Sequence, residues 1–205
     1  MVERIQNSKF KILKSKTVPT VVLLPGSRVD EVRRHLPVAM GAFELMRKAM
    51  PALRGKMILP SDALVQTAKA FGLPAGLEIR VGELNVALAE AELAITKSGT
   101  ITMECAMFGV PAVVLYKTSW PTYFIAKQLV NIPYLAMPNL LAGAEIYPEF
   151  VQDAATAENI SRAALEFLAD ESRRTTVKAR LAEIIASLGG PGASARAAGA
   201  IGRLL

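Results

Sequence analysis

A chain of 205 residues with 52% apolar and 20% charged residues can bury a sizeable core and is too apolar to stay disordered, which leaves one large globular domain or two small ones. Its single cysteine, Cys105, excludes an internal disulfide, and the longest apolar stretch, residues 107–116, holds a Gly and a Pro and falls far short of the roughly 20 residues that span a bilayer. The formal charge of +6 is concentrated in residues 1–17, where Arg4, Lys9, Lys11, Lys14 and Lys16 oppose Glu3 for a net of +4. Without aromatic platforms or a basic helix face, that run reads as a solvated linker, residues 1–18, in preference to a surface for anionic lipid headgroups or nucleic acid. No signal peptide is legible.

Beyond the linker, apolar runs alternate with helical periodicity, the pattern of a parallel sheet with crossover helices. Residues 21–24 predict a strand. The turn Pro25-Gly26-Ser27-Arg28 follows, then a helix in which Val32, Leu36, Ala39, Phe43, Met46 and Met50 recur at steps of three and four. Asp30 and Glu31 in its first turn complement the helix dipole, and Pro37 is a candidate kink. Residues 56–59 predict a strand, 62–71 a helix, 77–81 a strand and 85–91 a short helix. The stretch 93–108 repeats the theme of strand, turn (Ser98-Gly99-Thr100) and helix, with Ile101, Cys105 and Phe108 as the helix's apolar face. A strand at 112–116, a helix at 121–130, a loop region through Pro133, Pro138 and Pro148, and helices at 157–169 and 172–188 complete the core. The second of these shows Val177, Leu181, Ile184 and Leu188 on one face. Gly189-Gly190-Pro191-Gly192 breaks the chain before an Ala- and Gly-rich segment, 193–205, suited to a short helix against another backbone.

The two turns carry the chemistry. Each brings small residues and free backbone N–H groups to a helix N-terminus, where an anion is favoured, and two in one chain point to a pyrophosphate clamp. Gly26 and Gly99 allow close approach, Ser27, Ser98 and Thr100 add hydroxyls, and Arg28 adds a permanently charged fork. Glu104, one turn along the second helix, leans back toward the turn and suits a ribose diol. The plain alternatives are ordinary N-caps and an Arg28–Glu31 ion pair. Neither G-x-G-x-x-G nor G-x-x-x-x-G-K-[ST] follows the first strand, so dinucleotide and P-loop readings drop. Cys105 reads as a packed thiol, and the single histidine, His35, as a surface or pocket-edge residue in preference to a general base. Trp120, Tyr123 and Phe124 read as core in preference to a lipid site, while the length and polar punctuation of 138–152 favour function over a plain turn.

Six ordered segments carry a family resemblance: Leu23 to Arg28 (LLPGSR), Lys97 to Thr100 (KSGT) with Glu104, Pro111 to Lys117 (PAVVLYK), Met137 to Gly143 (MPNLLAG), Pro148 to Gln152 (PEFVQ) and Gly189 to Ser194 (GGPGAS). In that order they resemble the C-terminal half of bacterial lipid-A-disaccharide synthases, over residues 21–205. The resemblance implies a GT-B glycosyltransferase: an α/β fold whose Rossmann-like parallel sheet, flanked by helices, occupies residues 19–188, with a helical C-terminus at 189–205.

It implies an inverting reaction in lipid A biosynthesis. UDP-2,3-diacylglucosamine donates its sugar to 2,3-diacylglucosamine 1-phosphate, with no metal and no cofactor. Carried onto this chain, Gly26, Ser27, Arg28, Lys97, Ser98, Gly99 and Thr100 would hold the pyrophosphate, with Arg28 stabilising the leaving UDP. Glu104 would take the ribose, and Asn139, Glu149 and Gln152 would line the donor pocket. Lys97 stands where the family usually has a small residue, which would add a phosphate contact or alter specificity, and Ala144 where a basic residue is common. The implied partners are the UDP-sugar donor, an acylated glucosamine phosphate acceptor and an N-terminal acceptor domain absent from this chain, with no nucleic acid. The implied setting is the cytoplasm, at the inner face of the bacterial inner membrane. Attachment to that surface and a homodimer exchanging C-terminal helices stay open, as do two other readings: another UDP-sugar transferase or epimerase, and a non-catalytic nucleotide-binding module. The MPNLLAG and PEFVQ segments favour the synthase.

Overall fold

Six apolar runs form one parallel sheet: β1 (Thr20–Leu24), β2 (Arg54–Leu59), β3 (Leu77–Val81), β4 (Leu93–Lys97), β5 (Ala112–Tyr116) and β6 (Glu149–Val151), in the order β3-β2-β1-β4-β5-β6. The structure, a computed structural model, describes residues 18–129, 132–189 and 192–203. Nearly all of the basic segment therefore lies outside the described residues. The central strands are apolar on both faces, as a sheet covered by helices on each side requires. Val21, Val22 and Leu23 are fully buried, and so are Leu93, Ala94 and Ile95 beside them.

Helix α1 (Val29–Ala49) buries Val32, Leu36, Ala39, Phe43 and Met46, the stripe expected from the sequence, and runs unbroken through Pro37. Its last turn carries Arg47 and Lys48, which match the negative end of its dipole. Helices α2 (Asp62–Lys69), α3 (Leu84–Ala89) and α4 (Ile101–Met107) make the next crossovers. Helix α7 (Ala157–Ala169), capped by Thr156, packs against α1, where a Cβ at Gly41 would lie 3.1 Å from that of Ala157. Asp170 caps α8 (Glu171–Ser187), whose inner face buries Val177, Leu181 and Ile184.

Several expectations change. The region 138–152 is not a loop: it holds α6 (Met137–Ala142), β6 and a 3-10 turn, Gln152–Ala154. On α4 the buried residues are Thr102, Cys105 and Ala106. Phe108, just past the last helical residue Met107, is 41% exposed and not buried on that face. Trp120 and Phe124 on α5 (Trp120–Leu129) are 61% and 63% exposed, so these two aromatics are not core. Leu188 also faces solvent, and α9 (Ala193–Ile201), after Gly189 and Gly192 at positive φ, is exposed, with open space around Gly199. Among the described residues no helix is long and apolar enough to cross a membrane.

Candidate active site

Strand order places the site. The chain moves outward from β1 in one direction through β2 and β3, then restarts at β4 on the opposite side, so the β1–β4 junction is the switch point where open parallel sheets bind ligands. Leu24 pairs with Thr96 at the C-terminal ends of these strands. The two turns, 25–28 and 98–100, thus sit side by side although they are far apart in the chain.

Between them lies a cavity of about 450 Å³. Gly26, Ser27, Arg28, Lys97, Thr100 and Glu104 line it, joined by Glu31. Ile58, Leu59, Pro60 and Leu84 form an apolar wall toward β2 and α3. Gly26 (φ +141°) and Gly99 (φ +136°) hold backbone conformations that L side chains rarely adopt.

Glu31 organises the polar side. Its Oε2 accepts the Ser27 N–H at 2.9 Å, its Oε1 lies 3.1 Å from Lys97 Nζ, and the Arg28 guanidinium is 3.9 Å away. Burial pushes the Glu31 carboxyl up, but the Ser27 N–H bond and the Lys97 and Arg28 charges outweigh it and hold the group below its ordinary value. The dipole position and the Arg28 pairing of Glu31 are legible from local spacing. Its pairing with Lys97 is not, because it depends on the β1–β4 register.

Of the other expected site residues, Gly99 lies outside the cavity lining, and Ser98, Asn139, Glu149 and Gln152 lie outside it and hold backbone. Ser98 is buried and donates its Oγ–H to the Leu135 carbonyl at 2.8 Å. Glu149 receives the N–H groups of Leu135 and Ala136 at 2.7 and 2.9 Å, so the same peptide is gripped from two sides. Fully buried Asn139 uses both ends of its amide. Oδ1 accepts the N–H groups of Ile146 and Tyr147, each at 2.8 Å, and Nδ2 donates to the Tyr147 carbonyl at 2.7 Å and to Glu149 at 2.6 Å. Gln152, at φ +51°, clasps Thr118 through its N–H at 2.8 Å and its carbonyl at 3.2 Å. Thr102, not singled out from sequence, donates to the Gly99 carbonyl at 2.7 Å and accepts from Met137 N–H at 3.3 Å.

His35 corrects the surface or pocket-edge expectation, since only 1% of it is exposed. Its Nε2 accepts the Lys117 N–H at 3.0 Å, which leaves Nδ1 as the protonated nitrogen, donating to the Pro25 carbonyl at 2.9 Å. The neutral ring therefore ties the first turn to the end of β5. Burial lowers its pKa, against the opposing pull of the Pro25 and Lys117 carbonyl oxygens, which lie 2.9 Å from Nδ1 and 3.1 Å from Nε2 and favour the protonated ring. Cys105 is fully buried, and burial pushes its thiol up to about 12, so neither residue is a free base or nucleophile. Among the described residues no three His, Cys, Asp or Glu side chains cluster as metal ligands. What the cavity can do is bind an anion between two turns, with a carboxylate and an apolar wall on its flanks.

Solved structures share this fold. The spinosyn rhamnosyltransferase SpnG, complexed with spinosyn aglycone, superposes with a TM-score of 0.60 at 18% identity, covering 92% of this chain and 48% of that one. The calicheamicin glycosyltransferase CalG4 gives 0.59 at 19% identity, covering 93% and 43%. The described sheet thus resembles one Rossmann-like half of GT-B glycosyltransferases.

Sequence relatives are nearer. The lipid-A-disaccharide synthase of Synechocystis is 37% identical over 189 residues, 88% of this chain and 47% of the relative. That of Solibacter usitatus is 37% identical over 190 residues, 91% and 49%. The chain spans about half the length of the curated relatives it matches. Residues 1–199 match the family model described as Lipid-A-disaccharide synthetase, and the chain belongs to that family.

Proposed function

We propose that this chain is the donor-binding half of a glycosyltransferase that transfers 2,3-diacylglucosamine from UDP to 2,3-diacylglucosamine 1-phosphate, with inversion. The observation that carries the reading is the cavity at the β1–β4 junction, lined by Gly26, Ser27 and Arg28 of the first turn and by Lys97 and Thr100 at the second, with Glu104 alongside. The diphosphate lies between the turns, Glu104 accepts hydrogen bonds from the ribose hydroxyls, and the uracil rests on the wall of Leu59, Pro60 and Leu84. Ser98, Asn139, Glu149 and Gln152 serve the donor by holding the backbone around residues 118 and 135–147 in place.

In the reaction the acceptor hydroxyl attacks the anomeric carbon from the face opposite UDP. The bond from that carbon to the phosphate oxygen breaks, and its electron pair leaves on the diphosphate. Arg28 and Lys97 stabilise that growing charge, the largest electrostatic demand of the step. A base in the other half of the enzyme takes the acceptor proton, and that half also places the acceptor for in-line attack. Both substrates carry acyl chains, so the working enzyme sits at a membrane surface.

Calorimetric titration of UDP at low salt, with NAD and ATP as controls, tests the donor assignment. Saturable binding of UDP alone, weakened about tenfold or more in Arg28→Ala, is expected. Equal binding of ATP, or no response to the substitution, would sink it.

A further inference from the structure

Glu31 places its carboxylate where a ligand phosphate would be received. It takes the Ser27 N–H at 2.9 Å and the Lys97 ammonium at 3.1 Å, and lies 3.9 Å from Arg28. The glycines of both turns make room for this ion pair. A Cβ on Gly26 would meet Oε2 of Glu31 at 2.8 Å, and one on Gly99 would meet Nζ of Lys97 at 3.1 Å. Both charged side chains are only 19% exposed, so the pair is partly desolvated and its partners are not freely replaced by water.

We propose that Glu31 is an internal phosphate mimic that latches the two turns together, and that the donor diphosphate takes Ser27 N–H, Lys97 and Arg28 from it on binding. The proposal rests on reading the turns as a diphosphate cradle. A chain that binds a dianion through two cations and a backbone N–H must otherwise hold those groups close together with their charge unbalanced. Glu31 balances the charge, holds Lys97 against the cradle and competes with the ligand. The competition lowers apparent affinity by the fraction of molecules in the latched state. It also favours release of UDP after transfer, because the carboxylate is present to reclaim its partners.

Glu31→Gln is the test. The amide oxygen still accepts the Ser27 N–H at the same reach, while the negative charge is lost. The probes are inorganic pyrophosphate and UDP, titrated by calorimetry into the wild type, Glu31→Gln, Lys97→Gln and the double variant, with circular dichroism confirming the fold of each. Glu31→Gln is expected to bind pyrophosphate and UDP on the order of fivefold tighter, and that gain shrinks when Lys97 is also replaced. A pyrophosphate affinity that stays level or falls in Glu31→Gln overturns the latch and makes Glu31 a residue that aims Lys97 at the ligand. Binding of pyrophosphate by neither protein overturns it as well. Tighter pyrophosphate binding with no saturable UDP binding leaves the latch standing and removes the nucleotide reading. Should Glu31→Gln fail to fold, Glu31→Asp, which shortens the reach to Lys97 and keeps the charge, must bind pyrophosphate more tightly than wild type for the latch to hold.

Discussion

Lys97 and Glu31 meet at 3.1 Å across the cavity, one at the end of β4 and the other in the first turn of α1. The ion pair is a side-chain link between the two glycine turns, and it ties elements 66 residues apart. Lys97→Met keeps the apolar stem and removes the charge. It is expected to weaken UDP binding about tenfold and to cost about 1 kcal/mol of stability, read by calorimetry and urea unfolding. Unchanged UDP affinity would remove Lys97 from the phosphate site.

His35 makes stability depend on pH. Its pKa in the folded chain lies below the ordinary 6.5, with burial as the main cause. The unfolded chain therefore binds the proton more readily, and stability is fully present above about pH 6.5 and falls as the pH drops through the folded value. As the only histidine in the sequence, it gives one clean imidazole signal by NMR. Urea midpoints at pH 7.5 and 5.5 should differ in the wild type, and the difference should narrow in His35→Gln. A folded-state titration above 6.5 would contradict the buried neutral ring.

Asn139 has no slack. Replacing it with Ala leaves the N–H groups of Ile146 and Tyr147 and the Tyr147 carbonyl without these partners. The expected cost is about 3 kcal/mol, measured by chemical denaturation. If the pocket depends on this knot, UDP binding falls further than the stability loss alone predicts at temperatures where the variant is folded. A loss below about 0.5 kcal/mol would show that water replaces the amide.

Cys105 offers a reporter. A fully buried thiol with its pKa pushed up to about 12 stays unreactive toward an aromatic disulfide reagent at pH 8 while the protein is folded. Labelling should follow the urea unfolding curve, and saturating UDP should slow it. Rapid labelling of the native protein would place α4 in an open state.

Local patterning carried the fold a long way. The stripe Val32, Leu36, Ala39, Phe43 and Met46 is read from spacing alone and is buried as spacing demands. The glycine turns at 26 and 99 are legible because positive φ and close approach select glycine at those positions. Residues 138–152 were not legible as α6 and β6, since Asn139 and Glu149 stabilise that region through side-chain bonds to irregular backbone 7 to 14 residues away, which no helical or strand periodicity records. Trp120 and Phe124 misled for a related reason: periodicity reports an apolar stripe but not whether another layer covers it.

The sequence by itself determined the alternation of strands and helices, the two glycine turns and the membership of the family, because each rests on neighbouring residues or on ordered motifs. Tertiary structure decided which turns share a cavity, which carboxylate meets Lys97, and that His35 is sealed between Pro25 and Lys117. Those outcomes follow from the order of strands in the sheet. That order sets β1 beside β4 and carries Lys117 to within 3.0 Å of a ring 82 residues earlier in the chain.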